Sequence, residues 1–173
     1  LHKKGSKTEV SNYRPISLLA VIAKTATKSW VVRLQKVATP HLVKEQGCGR
    51  AGQGAPEHLW AFMAQMEACF EGDVPDGEDS AGAYALFADV AKAYDQVWRD
   101  GLYLALYSMG VRGPMWRIIQ QWLDGATACT SWNGVHVRTV GLAEGLRQGC
   151  VLSPIPYCIS INCVLAQAPT DAI

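Results

Sequence analysis

Apolar residues between Leu19 and Val37 recur at a helical interval, at Leu19, Ile22, Ala23, Ala26, Trp30, Leu34 and Val37. The spacing predicts a long amphipathic helix that opens after Arg14-Pro15 and stops near Pro40. Proline holds its predecessor extended and suits a first helical turn. A second helix is expected from Pro56, with Leu59, Phe62, Met63, Met66 and Phe70 on one core-facing side and Gly72 at its end. The apolar run from Ala83 to Ala88 reads as a strand that delivers Asp89 at its end, after which the chain turns into a helix start. Leu102, Leu106 and Met109 form the next stripe, closed by Gly110. Pro114 begins a further helix, with Trp116, Ile119, Trp122 and Leu123 inward and Gly125 stopping it. Thr127 to Trp132 and Val135 to Val140 flank Asn133-Gly134, a strong two-residue hairpin signal. The last helix is expected over Val151 to Leu165, beginning near Ser153-Pro154. Pro156 is tolerable there because first-turn amides have no intrahelical partner.

With 173 residues, 49% of them apolar, the chain can bury one sizeable core, as one compact unit or two subdomains. No apolar run approaches a membrane span and the first residues are basic and polar, so a soluble protein without a membrane partner is expected. Gly47 to Gly54 holds four glycines and is the most flexible stretch; Asp73 to Gly82, acidic and rich in Gly, Pro and Ser, is expected to be a solvent linker. Its acids do not follow the spacing of a calcium-binding EF-hand loop. Six cysteines lie scattered without a C-x-x-C pair, which excludes the usual zinc and disulfide frameworks and predicts reduced, mostly buried thiols.

The net charge of +1 hides a separation. Residues 1–60 carry ten Lys/Arg against three Asp/Glu, and residues 61–100 carry two against nine. A basic first third beside an acidic middle suits a protein that holds a polyanion with one part and divalent cations with another; sign-biased helix faces would give the same pattern. Asp89 at a strand end can meet a cation, or serve as a cap or solvated turn. Asp95, pointing away from it if the segment is helical, reads as a structural acid paired with Lys92 or Arg99. Arg14, a planar and permanently charged fork beside a helix start, suits phosphate oxygens. Gln148 can both donate and accept, on a loop whose Gly149 permits close backbone approach; Arg147 suits either phosphate or the surface.

Three stretches occur in order: Asn12-Tyr13-Arg14-Pro15-Ile16-Ser17-Leu18-Leu19, Phe87-Ala88-Asp89-Val90-Ala91-Lys92-Ala93-Tyr94-Asp95, and Gly145-Leu146-Arg147-Gln148-Gly149-Cys150-Val151-Leu152-Ser153-Pro154. Together they resemble the reverse transcriptases of non-LTR, LINE-like retrotransposons, over most of the chain from Lys3 to Pro154. The resemblance implies an α+β fold, the fingers and palm of a right-hand polymerase with an antiparallel palm sheet backed by helices. Residues 1–82 would be mainly fingers and residues 83–173 mainly an incomplete palm. The family's hairpin with two adjacent aspartates does not occur before Ile173, so a fragment truncated ahead of it is expected.

The activity implied is RNA-directed DNA polymerisation by two-metal nucleotidyl transfer, with Mg2+ or Mn2+ as the ions. RNA template, DNA primer, deoxynucleoside triphosphate and the rest of a polyprotein are the implied partners, inside the cell in nucleus or cytoplasm. Asp89 would be the catalytic carboxylate and a metal ligand, with the Val90 carbonyl as a second donor. Arg14, Lys3 and Lys4 would meet the triphosphate, although Lys3 and Lys4 compete with terminal fraying. Tyr94 would pack beneath the sugar, Gln148 and Gly149 would border the nucleotide, and Arg50 would touch template. The Arg50 assignment departs from the family pattern, since Cys48-Gly49 lacks the usual phenylalanine and Gln53 replaces a basic residue. The rival readings are a catalytically dead nucleic-acid-binding remnant and an unrelated helical α+β interaction module.

Overall fold

In the computed structural model, which describes residues 1–50, 52–71, 85–132 and 135–167, there are five α-helices, of which the first and the last three share one apolar core. Helix α1 (Val21–Ala38) ends in a single 3-10 turn, Thr39–His41, where Pro40 stops it. Its buried stripe is Thr27, Leu34 and Ala38, flanked by half-buried Trp30 and Val31. Thr27 can be fully buried because its hydroxyl donates to the Ala23 carbonyl at 2.8 Å. Helix α2 (Ala55–Glu71) follows, with Pro56 in its first turn.

Helix α3 (Arg99–Ser108) is the centre of the packing, lying against both α4 (Gly113–Asp124) and α5 (Pro154–Leu165), while α1 packs on α5. Leu102 and Leu106 of α3, Ile119 of α4 and Ile159 of α5 are essentially excluded from water. Each such side chain contributes roughly 1.5–3 kcal/mol by burial. Helix α3 stops at Gly110, whose φ of 88° allows the Val111 amide to reach the Leu106 carbonyl (2.9 Å) and the Gly110 amide that of Tyr107 (3.1 Å). Helix α5 accommodates Pro154 and the fully buried Pro156 because both fall in its first turn, where amides are unpaired.

Between α4 and α5 the chain makes a hairpin in two pieces. Strands β1 (Thr127–Ala128) and β4 (Val140–Gly141) pair antiparallel, as do β2 (Ser131–Trp132) and β3 (Val135–His136). The inner register matches Ala128 with Val140 and the outer one Ser131 with His136, so residues 137–139 face only 129 and 130. One extra residue on the returning side is a bulge, which breaks the ribbon into two ladders. Residues 133 and 134, the expected hairpin turn, lie outside the described residues, as do Gly72 and the linker 73–82.

Several expectations are corrected. Of the strand expected over Ala83 to Ala88, residues 83 and 84 lie outside the described residues and 85–88 form no strand, while residues 91–96 are turns rather than a helix start. A strand persists only when its backbone groups find a partner strand, and the described residues offer none beside this segment. The expected sheet therefore reduces, among the described residues, to the two short ladders. Helix α1 begins at Val21, because the Ser17 amide is engaged outside any helix, donating to the Gln148 carbonyl. Ile22 and Val37, expected inward, are exposed. On α2, Leu59, Met63 and Phe70 are exposed and only Phe62 and Met66 of the stripe are half-buried, since among the described residues no other helix makes an extensive contact with it. Of the six thiols, only Cys150 and Cys158 are buried. Among the described residues no helix is long and apolar enough to cross a membrane.

Candidate functional site

The three motif stretches meet at one loop. Residues 145–149 leave β4 and run between two neighbours, bonding to each through the main chain. On one side the Leu146 amide donates to the Tyr94 carbonyl (2.7 Å) and the Gly145 amide to that of Val97 (3.1 Å). On the other the Ser17 amide donates to the Gln148 carbonyl at 2.7 Å. Both glycines are required by this closeness. Gly145 has φ 72° and a Cβ there would lie 2.6 Å from the Asp95 carbonyl oxygen; Gly149 has φ 104° and its Cβ would lie 2.6 Å from that of Ser17.

Buried Arg99 fixes the loop from beneath, donating from Nε to the Gly145 carbonyl (2.9 Å) and from Nη2 to that of Glu144 (3.1 Å). Its fork is thus spent on main chain and not on Asp95, which corrects that expected pairing. Arg147 lies with its guanidinium 4.4 Å from the Trp122 ring centroid and donates to the Trp122 carbonyl at 2.9 Å. Burial lowers its pKa, and this packing makes it a support of the loop rather than a phosphate ligand.

Asp89 and Val90 stand exposed on the extended segment 85–90. The turn that follows contains Lys92 at φ 51°, a left-handed conformation unusual for a residue with a side chain. The Lys92 carbonyl accepts from the amides of Asp95 (2.8 Å) and Gln96 (3.2 Å), and this tight turn brings Tyr94 to the loop. The half-buried Tyr94 ring stacks on Tyr157 of α5, with centroids 5.1 Å apart and an interplanar angle of 20°. Burial is the main cause that raises both phenol pKa values; for Tyr157 the thiols of Cys158 and Cys48 and the Asp89 carboxylate add to it. Tyr157 was not legible as a site residue, because its partner is distant in sequence; an aromatic one turn after Ser153-Pro154 was the only signal.

Arg14 lines an open cleft of about 640 Å³ together with Lys3, Lys4, His2, Asn12 and Leu1, and the Glu9 carboxylate accepts from Asn12 Nδ2 at 3.4 Å. The first residues are tied there rather than frayed: the Lys3 amide donates to the Asn12 carbonyl and the Arg14 amide to that of Leu1, both at 2.7 Å. Since α1 starts at Val21, the helix dipole expected beside Arg14 is absent, and the three cations alone make the cleft attractive to a polyanion. Arg50 lies apart, on a loop held to α1 and α5. Its Nε donates to the Gln46 carbonyl (3.0 Å) and its Nη2 to those of Leu42 (2.7 Å) and Val43 (3.0 Å). Most of its donors are thus engaged within the chain.

For a metal, the described residues supply Asp89 and the Val90 carbonyl, but no group of three or more His, Cys, Asp or Glu is placed to hold an ion. One exposed carboxylate and a carbonyl do not by themselves fit a two-ion centre, which needs several hard oxygen donors.

Comparison with known proteins agrees with this convergence of motifs. The chain is 28% identical over 166 residues to the probable RNA-directed DNA polymerase from transposon X-element of Drosophila melanogaster, covering 92% of this chain and 17% of that protein. It is 28% identical over 179 residues to the RNA-directed DNA polymerase from mobile element jockey of the same organism, covering 100% of this chain and 18% of that one. Against the retrotransposable element SLACS 132 kDa protein of Trypanosoma brucei gambiense the identity is 27% over 157 residues, 90% of this chain and 12% of the relative. The chain thus spans less than about a fifth of these relatives. The family described as reverse transcriptase (RNA-dependent DNA polymerase) matches residues 1–172, and the chain belongs to that family.

Proposed function

We propose that this chain forms the fingers and part of the palm of a retrotransposon's RNA-directed DNA polymerase, residues 1–82 being mainly fingers and residues 83–173 mainly palm. The observation that carries the reading is the main-chain junction in which the loop 145–149 joins the segment after Arg14 to the turn holding Tyr94. In this reading Arg14, Lys3 and Lys4 receive the triphosphate of a deoxynucleotide, a role suited to three cations around one cleft. Tyr94 packs beneath the sugar and leaves no room for a 2′-hydroxyl, while Gln148 and Gly149 border the base and its template partner. Arg50 contributes to template only through the donors its internal bonds leave free.

Members of this family use divalent metal ions, and magnesium is the ion proposed here. Asp89 and the Val90 carbonyl are one part of its ligand set, and further carboxylates must come from outside the described residues. RNA template, DNA primer and the remainder of a larger polypeptide are the proposed partners.

The test is an equilibrium titration of the 173-residue chain with a fluorescent deoxynucleoside triphosphate and, separately, with an RNA–DNA duplex. Arg14→Ala should weaken nucleotide binding by roughly 10- to 100-fold, the range of a charge-assisted bond. Duplex binding should fall less, and Lys3→Ala or Lys4→Ala should cost less in nucleotide binding, as expected of exposed flexible charges. Equal or negligible effects on both ligands would remove the assignment.

A further inference from the structure

Tyr94 and Tyr157 reach their stack from elements of different stiffness. Tyr157 stands on the first turn of α5, its amide bonded to the Ser153 carbonyl (3.1 Å) and its neighbours Ile155, Cys158 and Ile159 buried in the core. Tyr94 stands on the turn 91–96, which is not part of a helix or strand. A side chain on a helix packed into the core is placed more precisely than one on a turn, so the α5 ring orients the other. Tyr157 also lines, with Val90, Ala93, Val97 and Trp98, an apolar groove of about 450 Å³ alongside the segment that carries Asp89. Among the described residues neither phenol hydroxyl takes a hydrogen bond within the chain, so the pair is joined by ring contact alone.

We propose that Tyr157 is a positioning residue for sugar selection, holding the Tyr94 ring in the orientation that admits deoxyribose and refuses ribose. The inference rests on the reading of Tyr94 as the residue beneath the sugar and adds the element that fixes it. What Tyr157 supplies is an aromatic face, not a hydroxyl. Phenylalanine should therefore serve in its place and an aliphatic side chain should not.

The experiment measures binding of dATP and of ATP to the 173-residue chain by competition against a fluorescent deoxynucleotide. The variants are Tyr157→Phe, Tyr157→Leu, Tyr94→Leu and the Tyr94/Tyr157 double leucine substitution. Wild type and Tyr157→Phe should prefer dATP by the same ratio, and Tyr157→Leu should reduce that ratio about 3- to 10-fold, the range of an aromatic pair. Melting curves identify any variant that fails to fold, and Tyr157→Met then replaces the leucine variant. In the Tyr94→Leu background, removing Tyr157 should change nothing further, because it acts through that ring. An unchanged ratio in Tyr157→Leu overturns the proposal while leaving the nucleotide site intact. A further change in the double variant overturns the positioning role in favour of direct contact. If wild type binds neither nucleotide, the polymerase reading of the cleft falls and this inference falls with it.

Discussion

At the scale of single residues, Gly149 is fixed by its backbone and its surroundings together. Its φ of 104° and the 2.6 Å that would separate a Cβ from the Ser17 carbonyl oxygen leave no place for a side chain. Gly149→Ala should destabilise the fold by about 1–3 kcal/mol, read as a lower urea midpoint. Gly141→Ala, with ordinary backbone and nothing within 4 Å, should stay within about 0.5 kcal/mol of wild type. Tyr103 gives a pH-dependent counterpart. Its hydroxyl donates to Asp124 Oδ1 at 2.6 Å, and burial, then that bond and charge, push its pKa far above the usual tyrosine value. Because the folded pKa is the higher, the stabilisation is complete below about pH 10 and is lost as pH rises toward the folded value. Tyr103→Phe should cost about 0.5–1.5 kcal/mol at pH 7, and its deficit should shrink in strongly alkaline denaturation curves. Thiol chemistry gives a third check: Cys48, Cys69, Cys129 and Cys163 should react with a soluble disulfide reagent in the folded state, and Cys150 and Cys158 only after unfolding.

At the scale of elements, helices with a stop signal were legible and elements that depend on distant partners were not. The stripe Leu102, Leu106, Met109 and its closure at Gly110 appear as read, because periodicity and a left-handed glycine are local instructions. The start of α1 was misplaced because Pro15 suits either a helix turn or an extended segment, and the bond from Ser17 to Gln148 chooses the second. The strand expected to deliver Asp89 failed because a strand is a relation between two segments, whereas apolar composition describes only one. Helix α2 has the period of a buried helix and the exposure of a free one. A pair of substitutions separates these cases. Leu106→Ala, at 0% exposure, should cost about 2–5 kcal/mol, while Leu59→Ala, at 58%, should shift the melting temperature little.

At the scale of the whole molecule, the three motifs meet at the loop 145–149, but among the described residues no metal-binding group of carboxylates assembles. The sequence contains no pair of adjacent aspartates, and the described residues bring no second carboxylate to Asp89 within a metal-binding group. The 173-residue chain should therefore give no primer extension above background at any magnesium concentration. Supplied in one polypeptide with the adjacent-aspartate hairpin of a related reverse transcriptase, it should extend primers, and Asp89→Ala should abolish that activity. Extension by the chain alone, sensitive to the same substitution, would show that the catalytic carboxylates lie elsewhere. The three motifs were legible in the sequence; the contacts around their shared loop, Arg99 beneath it and Tyr157 against Tyr94, were not, since no local pattern announces them.

The bonds that tie the chain's first part to its last also set the order in which the protein can come into being. Asn162 of α5 accepts from the Val43 amide at 2.8 Å across a sequence separation of 119, and Ser17 waits for Gln148 from the other end of the chain. On a ribosome, α1 and the loop after it emerge long before the elements that cover Leu34 and Ala38. They must stay soluble, with that face uncovered, until α5 is made. The ten basic residues of the first third, against three acidic ones, are then like charges that keep such uncovered young chains apart.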